Sequence, residues 1–310
     1  MCRLISMLLS ATLLFSTGCV GHAAALPEPQ PAAAVGTASI QQPQEGVDSS
    51  QPIADSALTK EEVSPPAPVE PEPEEPYVRV VDPAKPMVAL TFDDGPHGTY
   101  SNQILDALEA NHAVATFFEV GRNVALYPAV VAREAELGCE IGSHSYSHKN
   151  LGKMKKSSIL RDLAAADDAF IAAGVEAPTL VRPPYGSVNR ALKYETGRTM
   201  VTWSVDTEDW RSRDAEKIIA SVQGVPDLDG HVVLLHSIYQ STVDAAEVLV
   251  PWLQEQGYQL VTVTELMAYY YGQMPEPNKL YGYSYFTRNG RTDTPLALPA
   301  AEQEETAPAA

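Results

Sequence analysis

The sequence predicts an α/β fold, a distorted and incomplete (β/α) barrel of about seven parallel strands. Apolar runs typical of strands alternate with amphipathic helical patterns, and repeated units of this kind imply parallel strands joined by right-handed crossovers. Five polar clusters each follow directly on a strand-like run, and in a barrel the carboxyl ends of the strands converge on one rim. A flat, doubly wound sheet is the alternative that the same alternation permits.

The predicted strands are short apolar segments bounded by polar or turn residues. They lie at 87–92, 114–120, 139–143, 179–181, 200–205, 232–235 and 259–263. Helical periodicity lies between them, at 101–112, 126–137, 157–173, 188–196, 215–222 and 243–256. In the first of these helices, Ile104, Leu105 and Leu108 form an apolar stripe, which predicts one buried face.

The segment after residue 274 is rich in aromatic side chains, with Tyr281, Tyr283, Tyr285 and Phe286 close together. Their alternation predicts either a strand that closes the bottom of the barrel or a strip that stacks on sugars. Packing is the commoner role for such residues, and we expect it here.

Composition divides the chain into four parts. Residues 1–25 have the pattern of an export signal, because the apolar stretch 4–15 is shorter than the span of about 20 residues that a membrane helix needs. Residues 26–76 are rich in Pro, Glu and Ala, and predict a disordered linker. Residues 77–274 predict the folded catalytic domain, and residues 275–310 a tail that is disordered in part.

Two processing routes are open for the export signal. The segment Ser16-Thr17-Gly18-Cys19 resembles the lipobox of bacterial lipoproteins, although Ser16 stands where Leu is expected. The small residues Ala23-Ala24-Ala25 offer an ordinary signal-peptidase site instead. We favour the first route, which predicts an exported protein at the outer face of the cytoplasmic membrane or in the cell wall. A lipid on Cys19 is then its only contact with a membrane.

The chain has 310 residues, a formal net charge of -19 and a sequence pI near 4.7. This charge argues against nucleic-acid binding, which draws its affinity from clustered Lys and Arg. Two of the three cysteines, Cys2 and Cys19, lie in or at the edge of the signal, so Cys139 has no partner for an internal disulfide. We predict that Cys139 is a small buried apolar residue.

One carboxylate and two imidazoles form a candidate metal site. Asp94 follows the first strand, and His144 and His148 lie four residues apart after the third. This spacing puts both imidazoles on one side of the chain if their loop winds helically. The two histidines alone are weak evidence for a metal site. The presence of Asp93 and Asp94 directly after a strand strengthens the prediction. Such a set of ligands leaves coordination positions open for water and substrate.

The adjacent carboxylates of Asp93 and Asp94 repel each other unless a cation is close. The alternative is a simple acidic turn before Gly95-Pro96. Different roles would explain why both aspartates are present: Asp94 ligates the metal, and Asp93 takes a proton from water. A bound zinc would lower the pKa of that water to about 7. Arg182 is suited to hold Asp93 through a bidentate pair, unless it is a surface residue before a Pro-Pro turn.

Cleavage of an amide also requires an acid that protonates the departing nitrogen. His236, at the end of a strand, is the candidate, and Asp209 is the carboxylate that would raise its pKa. A lone histidine at a strand end is more often structural, and the other clusters favour the catalytic role. Trp210 and Leu234 would wall a small apolar pocket, although both also suit a core.

With these residues identified, the chain resembles the polysaccharide deacetylases, the NodB-homology family also called carbohydrate esterase family 4. The resemblance covers residues 85–270, and all five family motifs are present in order. They are the segments 91–96, 144–148, 182–186, 206–210 and 234–236. The resemblance implies a NodB-like barrel with fewer than eight strands and a metal-dependent removal of acetyl groups from sugars.

The resemblance also implies a role for each site residue. The metal ligands are Asp94, His144 and His148. Asp93 is the base that Arg182 orients, and Asp209 tunes His236 as the acid. The backbone N–H of Tyr185 helps to bind the oxyanion, and Trp210 and Leu234 contact the acetyl group and the acid. One divalent ion is implied, usually zinc, with cobalt, nickel or manganese in some members.

These residues predict an exported hydrolase that removes N-acetyl groups from N-acetylglucosamine-type sugars of peptidoglycan. The predicted linker and the lipid on Cys19, together called the tether, favour that polymer because they would hold the domain beside the cell wall. Chitooligosaccharides and acetylxylan are alternative substrates, and a non-catalytic wall-glycan-binding protein is the alternative function. A metal-dependent peptidase or phosphodiesterase is disfavoured, since only one set of three ligands is visible. The expected partners are an N-acetylated glycan and no nucleic acid, and we expect a monomer.

Overall fold

The structure is a computed structural model that describes residues 79–298, and its core is a sheet of parallel strands. The nine strands are β1 Met87–Asp93, β2 Thr116–Glu119, β3 Glu140–Ser143, β4 Leu180–Val181, β5 Thr199–Val201, β6 Val205–Asp206, β7 Val232–His236, β8 Gln259–Leu260 and β9 Leu280–Tyr281. Every pairing between them is parallel. All seven residues of β1 are buried, as expected for a central strand that is covered on both faces.

The sheet curls into an incomplete barrel. Across the sheet the strands follow the order β6, β7, β1, β2, β3, β4, β5, β9, and β8 pairs with β1. Only residues 202–204 join β5 to β6. In a flat sheet these two strands would lie about 29 Å apart, six spacings of about 4.8 Å, whereas their connection spans at most about 14 Å. The ends of the sheet must therefore approach each other, which excludes the doubly wound alternative and confirms the barrel.

The strands are joined and surrounded by helices. These helices are α1 Tyr100–Ala110, α2 Gly121–Val124, α3 Pro128–Glu136, α4 Lys156–Ala172, α5 Arg190–Glu195, α6 Asp209–Ser212, α7 Ala215–Gln223, α8 Gln240–Glu255, α9 Val263–Glu265 and α10 Tyr283–Phe286. Of these, α1, α7 and α8 pack against the outer face of the sheet. Two 3₁₀ turns, Leu151–Lys153 and Pro184–Gly186, and one π-helical turn, Leu266–Tyr270, complete the connections. The predicted stripe of Ile104, Leu105 and Leu108 is fully buried in the core beneath α1.

Successive residues of β2 show how the two sides of the sheet are filled. Phe117 packs in the cluster between the sheet and the outer helices, with Leu105 of α1 and Leu249 of α8. Phe118 packs in the cluster inside the barrel, with Met267. This alternation is the period of two that a strand imposes on its side chains.

Several strands are shorter than predicted, and the backbone shows why in two of them. The segment 200–205 forms two strands, because Thr202 N donates to Tyr281 O of β9 (2.8 Å) while Ser204 N donates to Val232 O of β7 (2.9 Å). The backbone thus changes its partner there. The segment 259–263 leaves the sheet after Leu260, because Thr262 caps α9 in a reciprocal capping box with Glu265.

The C-terminal aromatic residues pack in the described part of the tail, as expected. Tyr281 ends β9 and Phe286 lies in α10, and both are buried with the inner cluster of the barrel. Tyr283 is exposed. Cys139 is buried and has a free thiol, which confirms its predicted role as a small buried residue.

The export signal, with Cys19 and the alternative site at residues 23–25, lies outside the described residues, as do the whole predicted linker 26–76 and residues 299–310. Their predicted states therefore stay predictions. Among residues 79–298, no helix combines the length and apolarity needed to cross a bilayer.

Candidate active site

Five strands deliver polar side chains to one rim of the barrel. Asp93 ends β1, His236 ends β7, and these two residues are direct partners in the register of the adjacent strands. His144 follows β3, Arg182 follows β4, and Asp209 lies close after β6. The convergence expected from the sequence is therefore present.

Asp94, His144 and His148 meet as one cluster. One ligand atom from each lies within 4.8 Å of the others. Asp94 Oδ1 is 2.9 Å from His148 Nε2 and 3.5 Å from His144 Nε2. Among residues 79–298, these three are the His, Cys, Asp and Glu side chains that come together with metal-ligand geometry.

The loop that carries His144 and His148, the histidine loop, is not helical. The prediction that a helical turn brings the two imidazoles to one side was therefore wrong. The chain runs from β3 into a bend, with Ser145 at φ 66° and His148 at φ 53°. Positive φ reverses the chain locally, which costs free energy in residues other than glycine. Ser145 Oγ accepts a hydrogen bond from His148 N (3.0 Å) and fixes this reversal. Both imidazoles face Asp94 for this reason.

The three side chains fit a divalent cation. Asp94 Oδ1 is buried and has no hydrogen bond of acceptable geometry, although both imidazoles point at it. The Nδ1 atom of His144 lies 2.7 Å from Arg182 O, and because a carbonyl only accepts, this nitrogen must carry the proton. That tautomer leaves Nε2 without a proton, so its lone pair is free to ligate a metal ion on the side of Asp94. Two imidazole nitrogens and one carboxylate oxygen are the ligands of many catalytic zinc sites.

Asp93 lies beside this cluster and is held by Arg182. Arg182 Nη1 donates to Asp93 Oδ1 (2.8 Å) and to Thr91 Oγ1 (2.7 Å), and the Arg182 side chain is fully buried. The predicted contact between Arg182 and Asp93 is confirmed, but it is not bidentate. The other guanidinium nitrogens donate to the carbonyls of Val201 and Thr202.

The Phe118 ring forms the floor under Arg182, 4.0 Å from the guanidinium carbon. Burial lowers the pKa of Arg182, and the adjacent carboxylate of Asp93 opposes that shift. A buried guanidinium that touches a carboxylate, three other oxygens and an aromatic face has little freedom to move. The rigid guanidinium of Arg182 therefore fixes the orientation of the Asp93 carboxylate.

His236 and Asp209 form a closed hydrogen-bonded pair. His236 Nδ1 donates to Asp209 Oδ1 (2.7 Å), and His236 N donates to Asp209 Oδ2 (2.7 Å). Trp210 N and Thr242 Oγ1 each donate a further hydrogen bond to this carboxylate, at 2.8 Å. Asp209 is thus fully buried with four donors, as a carboxylate needs when it leaves water.

The electrostatics of the site favour opposite charges on the acid candidate His236 and the metal-ligand candidate Asp94. Burial opposes protonation of His236, yet Asp209, Asp93 and Asp94 outweigh it and raise its pKa. Burial likewise opposes ionisation of Asp94, but His148, His144 and His236 lower its pKa to about 2. His236 is therefore poised to hold a proton, while Asp94 stays an anion.

His144 is shifted in the opposite direction to His236. Burial lowers its pKa, and the carboxylates of Asp93 and Asp94 oppose that shift only in part. A neutral imidazole is the form that coordinates a metal. The direction of the shift agrees with a ligand role for this residue.

The three predicted substrate contacts lie around the rim. Tyr185 is 68% exposed in a turn with φ 63°, and its hydroxyl lies 3.5 Å from His148 Nδ1. Trp210 is 48% exposed, so it offers a face to solvent rather than a buried wall. Leu234 is buried on the same face of β7 as His236, two residues before it. These positions suit a shallow cleft with an apolar floor.

Sequence reasoning missed several residues that shape the site. Thr91 lies two residues before Asp93 and bridges Arg182 to Val233 O (2.6 Å). Thr242 supports Asp209 from α8, where no motif marks it. Asn123 Nδ2 donates to Asp94 O (2.8 Å) and ties down the turn after β1.

Two buried acids beneath the turn after β1 were also missed. Glu119, at the end of β2, and Glu134, in α3, are fully buried, and no donor from the rest of the described chain reaches their four carboxyl oxygens. Burial and mutual repulsion raise the pKa of Glu119, and burial raises that of Glu134. Two facing carboxyls of this kind share a proton rather than ionise together.

Comparison with known proteins agrees with this geometry. The sequence model of the family described as polysaccharide deacetylase matches residues 81–202. The peptidoglycan-N-acetylmuramic acid deacetylase PdaC of Bacillus subtilis is 40% identical over 191 residues, 62% of this chain and 41% of PdaC. A peptidoglycan-N-acetylglucosamine deacetylase of Bacillus cereus is 37% identical over 189 residues, 59% of this chain and 68% of that relative.

Solved structures give the same picture. That of Bacillus subtilis PdaC matches with a TM-score of 0.60 and covers 61% of this chain and 93% of that chain. A family 4 acetyl xylan esterase from Clostridium thermocellum, in complex with a cobalt ion, matches with a TM-score of 0.58 at 32% identity, over 63% of this chain and 97% of that chain. The chain spans only 41% of the length of PdaC.

Proposed function

Because the chain belongs to the polysaccharide deacetylase family, we propose that it is a metal-dependent hydrolase that removes N-acetyl groups from N-acetylglucosamine-type sugars of peptidoglycan. One observation carries the proposal: Asp94, His144 and His148 converge within 4.8 Å beside Asp93, and Asp93 faces His236 across adjacent strands. A base, an acid and a set of ligands thus share one rim.

Asp94, His144 and His148 would hold the ion. A divalent ion supplies Lewis acidity when bound there, polarising the acetyl carbonyl and making water more acidic. We propose zinc as the ion, with cobalt, nickel or manganese as alternatives, since imidazole and carboxylate ligands bind all four.

Asp93 acts on the attacking water. Its Oδ2 is free of Arg182 and lies 3.8 Å from His144 Nε2, so it faces the cluster. Asp93 takes one proton from the water while the oxygen adds to the acetyl carbonyl carbon. Arg182 holds the carboxylate in place through Oδ1 and compensates its charge.

His236, on the strand adjacent to that of Asp93, completes the reaction. Because Asp209 occupies Nδ1, the Nε2 atom is the one that donates a proton. The sugar nitrogen takes that proton as its bond to the acetyl carbon breaks, which releases acetate and a free amine. The N–H of Tyr185 would help to hold the oxyanion, and Trp210 and Leu234 would border the acetyl group.

The tether and the relatives support peptidoglycan as the polymer. PdaC and the Bacillus cereus relative are named for peptidoglycan deacetylation, and the predicted lipid on Cys19 would keep the domain beside the wall. We propose an exported, monomeric enzyme that contacts a membrane only through that lipid. Chitooligosaccharides and acetylxylan remain alternative substrates.

The test is product analysis on defined substrates. Purified protein is incubated with peptidoglycan, chitooligosaccharides and acetylxylan, and acetate, free amine and bound metal are measured in the same sample. We expect acetate and amine in equal amounts from peptidoglycan, and none from Asp93→Asn. Acetate from another polymer but not from peptidoglycan would refute the proposed substrate. Chelator-insensitive glycan binding with no acetate from any polymer would favour the non-catalytic alternative.

A further inference from the structure

A strongly basic segment lies directly beside the candidate site. Residues 149–161 contain five basic residues and no acidic one, in a chain whose net charge is -19. They are Lys149, Lys153, Lys155, Lys156 and Arg161. Among the ion pairs of residues 79–298, only Lys156 of this set takes part, with Glu195. The other four charges are not compensated by a partner in that part of the chain.

Three of these side chains line one open groove. It has a volume of about 460 Å³, and Lys149, Lys155 and Arg161 lie on it together with Met154. Arg161 donates a long hydrogen bond (3.4 Å) to Ser158 Oγ, and the three basic residues are exposed. A groove with several uncompensated cations favours an anionic ligand.

The groove is joined to the histidine loop. Lys149 follows His148 in sequence, and Asp162 lines the groove while accepting hydrogen bonds from Tyr146 N (2.9 Å) and Ser147 Oγ (2.5 Å). The single acid of the groove therefore faces the loop. A ligand in the groove and a sugar at the metal cluster would be neighbours on one rim.

Three other cations near the rim are already engaged. Arg182 is buried against Asp93, and Arg211 pairs with Glu208. The guanidinium of Arg213 lies 3.4 Å from the centre of the Tyr239 ring. The groove thus gathers, beside the site, three cations that are unpaired within residues 79–298, so an anionic substituent of the substrate would extend in that direction.

We propose that this groove binds the carboxylates of the peptide stems of peptidoglycan, and so selects stem-bearing glycans over neutral ones. This inference rests on the proposed function, because a stem reaches the groove only if its glycan lies at the metal cluster. Chitooligosaccharides carry no such anion. The groove therefore gives a physical reason why the protein would prefer the wall polymer. The metal ligands, the base and the acid do not distinguish between the two polymers.

The test compares two double variants on two substrates. Lys149→Gln/Lys155→Gln removes two charges from the groove. Lys85→Gln/Lys279→Gln removes two exposed charges just before β1 and β9, at the amino ends of the strands and hence at the opposite end of the barrel. Acetate release is measured on stem-bearing wall fragments and on neutral N-acetylglucosamine oligomers.

We expect the groove variant to lose about three- to tenfold in kcat/KM on stem-bearing fragments relative to neutral oligomers. The loss is modest because exposed charge pairs are individually weak. It should arise mainly from a higher KM. The control variant should leave the ratio unchanged. Raising the salt to about 1 M, where the Debye length falls to about 3 Å, should reduce the wild-type preference in the same way.

A binding measurement separates failure of this inference from failure of the proposed function. Asp93→Asn protein is titrated with stem-bearing fragments and with the same glycan after enzymatic removal of the stems. Tighter binding of the first, lost in the groove variant, supports the groove even if no acetate is ever released. Equal affinities, or equal losses on both substrates, would overturn it. Groove-dependent binding to teichoic acid or to phosphatidylglycerol vesicles, without a stem preference, would overturn it in favour of a phosphate ligand.

Discussion

The substitution Asp209→Asn tests how the acid is tuned. It removes the charge that raises the pKa of His236 but keeps the size of the side chain. Four donors reach the carboxylate: His236 Nδ1, His236 N, Trp210 N and Thr242 Oγ1. An amide offers one oxygen, so the two donors that face its NH₂ group lose their acceptor.

Either orientation of the amide leaves one backbone N–H without a partner. If the NH₂ group replaces Oδ1, the imidazole can switch tautomer, but Trp210 N is orphaned. If it replaces Oδ2, the Thr242 hydroxyl can turn, but His236 N is orphaned. A buried orphaned donor costs about 1–3 kcal/mol, so we expect the free energy of unfolding to fall by that amount. Urea denaturation measures it.

Activity should begin to fall at a lower pH than in the wild type. A raised pKa keeps His236 protonated to higher pH, and the loss of an adjacent opposite charge lowers a pKa by about 1–3 units. The alkaline limb of kcat/KM against pH, measured by acetate release, should therefore move to lower pH by about that amount. At pH values above the lowered pKa, each unit of that shift should reduce the activity about tenfold.

Thr242→Val is the matched control. It removes one of the four hydrogen bonds and keeps the charge of Asp209, so it should cost stability without moving the alkaline limb. An alkaline limb that stays in place in Asp209→Asn, while activity drops at all pH values alike, would refute the tuning of His236 by Asp209.

Three further predictions concern the support of the site. In Gly142→Ala the new Cβ would lie 2.4 Å from Phe118 Cδ1, so we expect a loss of about 1–3 kcal/mol on thermal unfolding, and a wild-type melting curve would contradict the packing. His148→Ala should abolish stoichiometric binding of a divalent ion, seen by elemental analysis, and full metal content would exclude it as a ligand. Glu119 and Glu134 have raised pKa values in the folded state, so the unfolded chain loses its protons first, and the free energy of unfolding should fall as pH rises from about 5 to 8. In Glu134→Gln, urea denaturation should show a smaller fall over the same pH range. An identical dependence of the unfolding free energy on pH in the two proteins would refute the shared proton.

Much of the site could be predicted because its residues lie at strand ends. Each of Asp93, His144, Arg182 and His236 ends or follows an apolar run, and the fold gathers such positions on one rim. The side-chain types then indicate ligands, base and acid. Long-range strand order was not needed for that inference.

The features that were missed depend on backbone detail or on contacts from distant elements. No pattern in residues 144–148 indicates that Ser145 and His148 have positive φ. The division of Arg182 among Asp93 and the carbonyls of Val201 and Thr202 depends on where β5 leaves the sheet. These outcomes are set by tertiary packing, which local sequence does not encode.

The buried thiol of Cys139 is a natural reporter on the strand that carries the candidate metal ligand His144. Cys139 immediately precedes β3, and His144 immediately follows it. A labelling reagent reaches this sulfur only during transient opening, so its rate of modification measures how often the strand comes loose. Burial also raises the pKa of the thiol to about 12, which slows the reaction further. An ion that binds only the closed form would protect the thiol in proportion to its occupancy, and peptide mapping would distinguish this signal from Cys2 and Cys19.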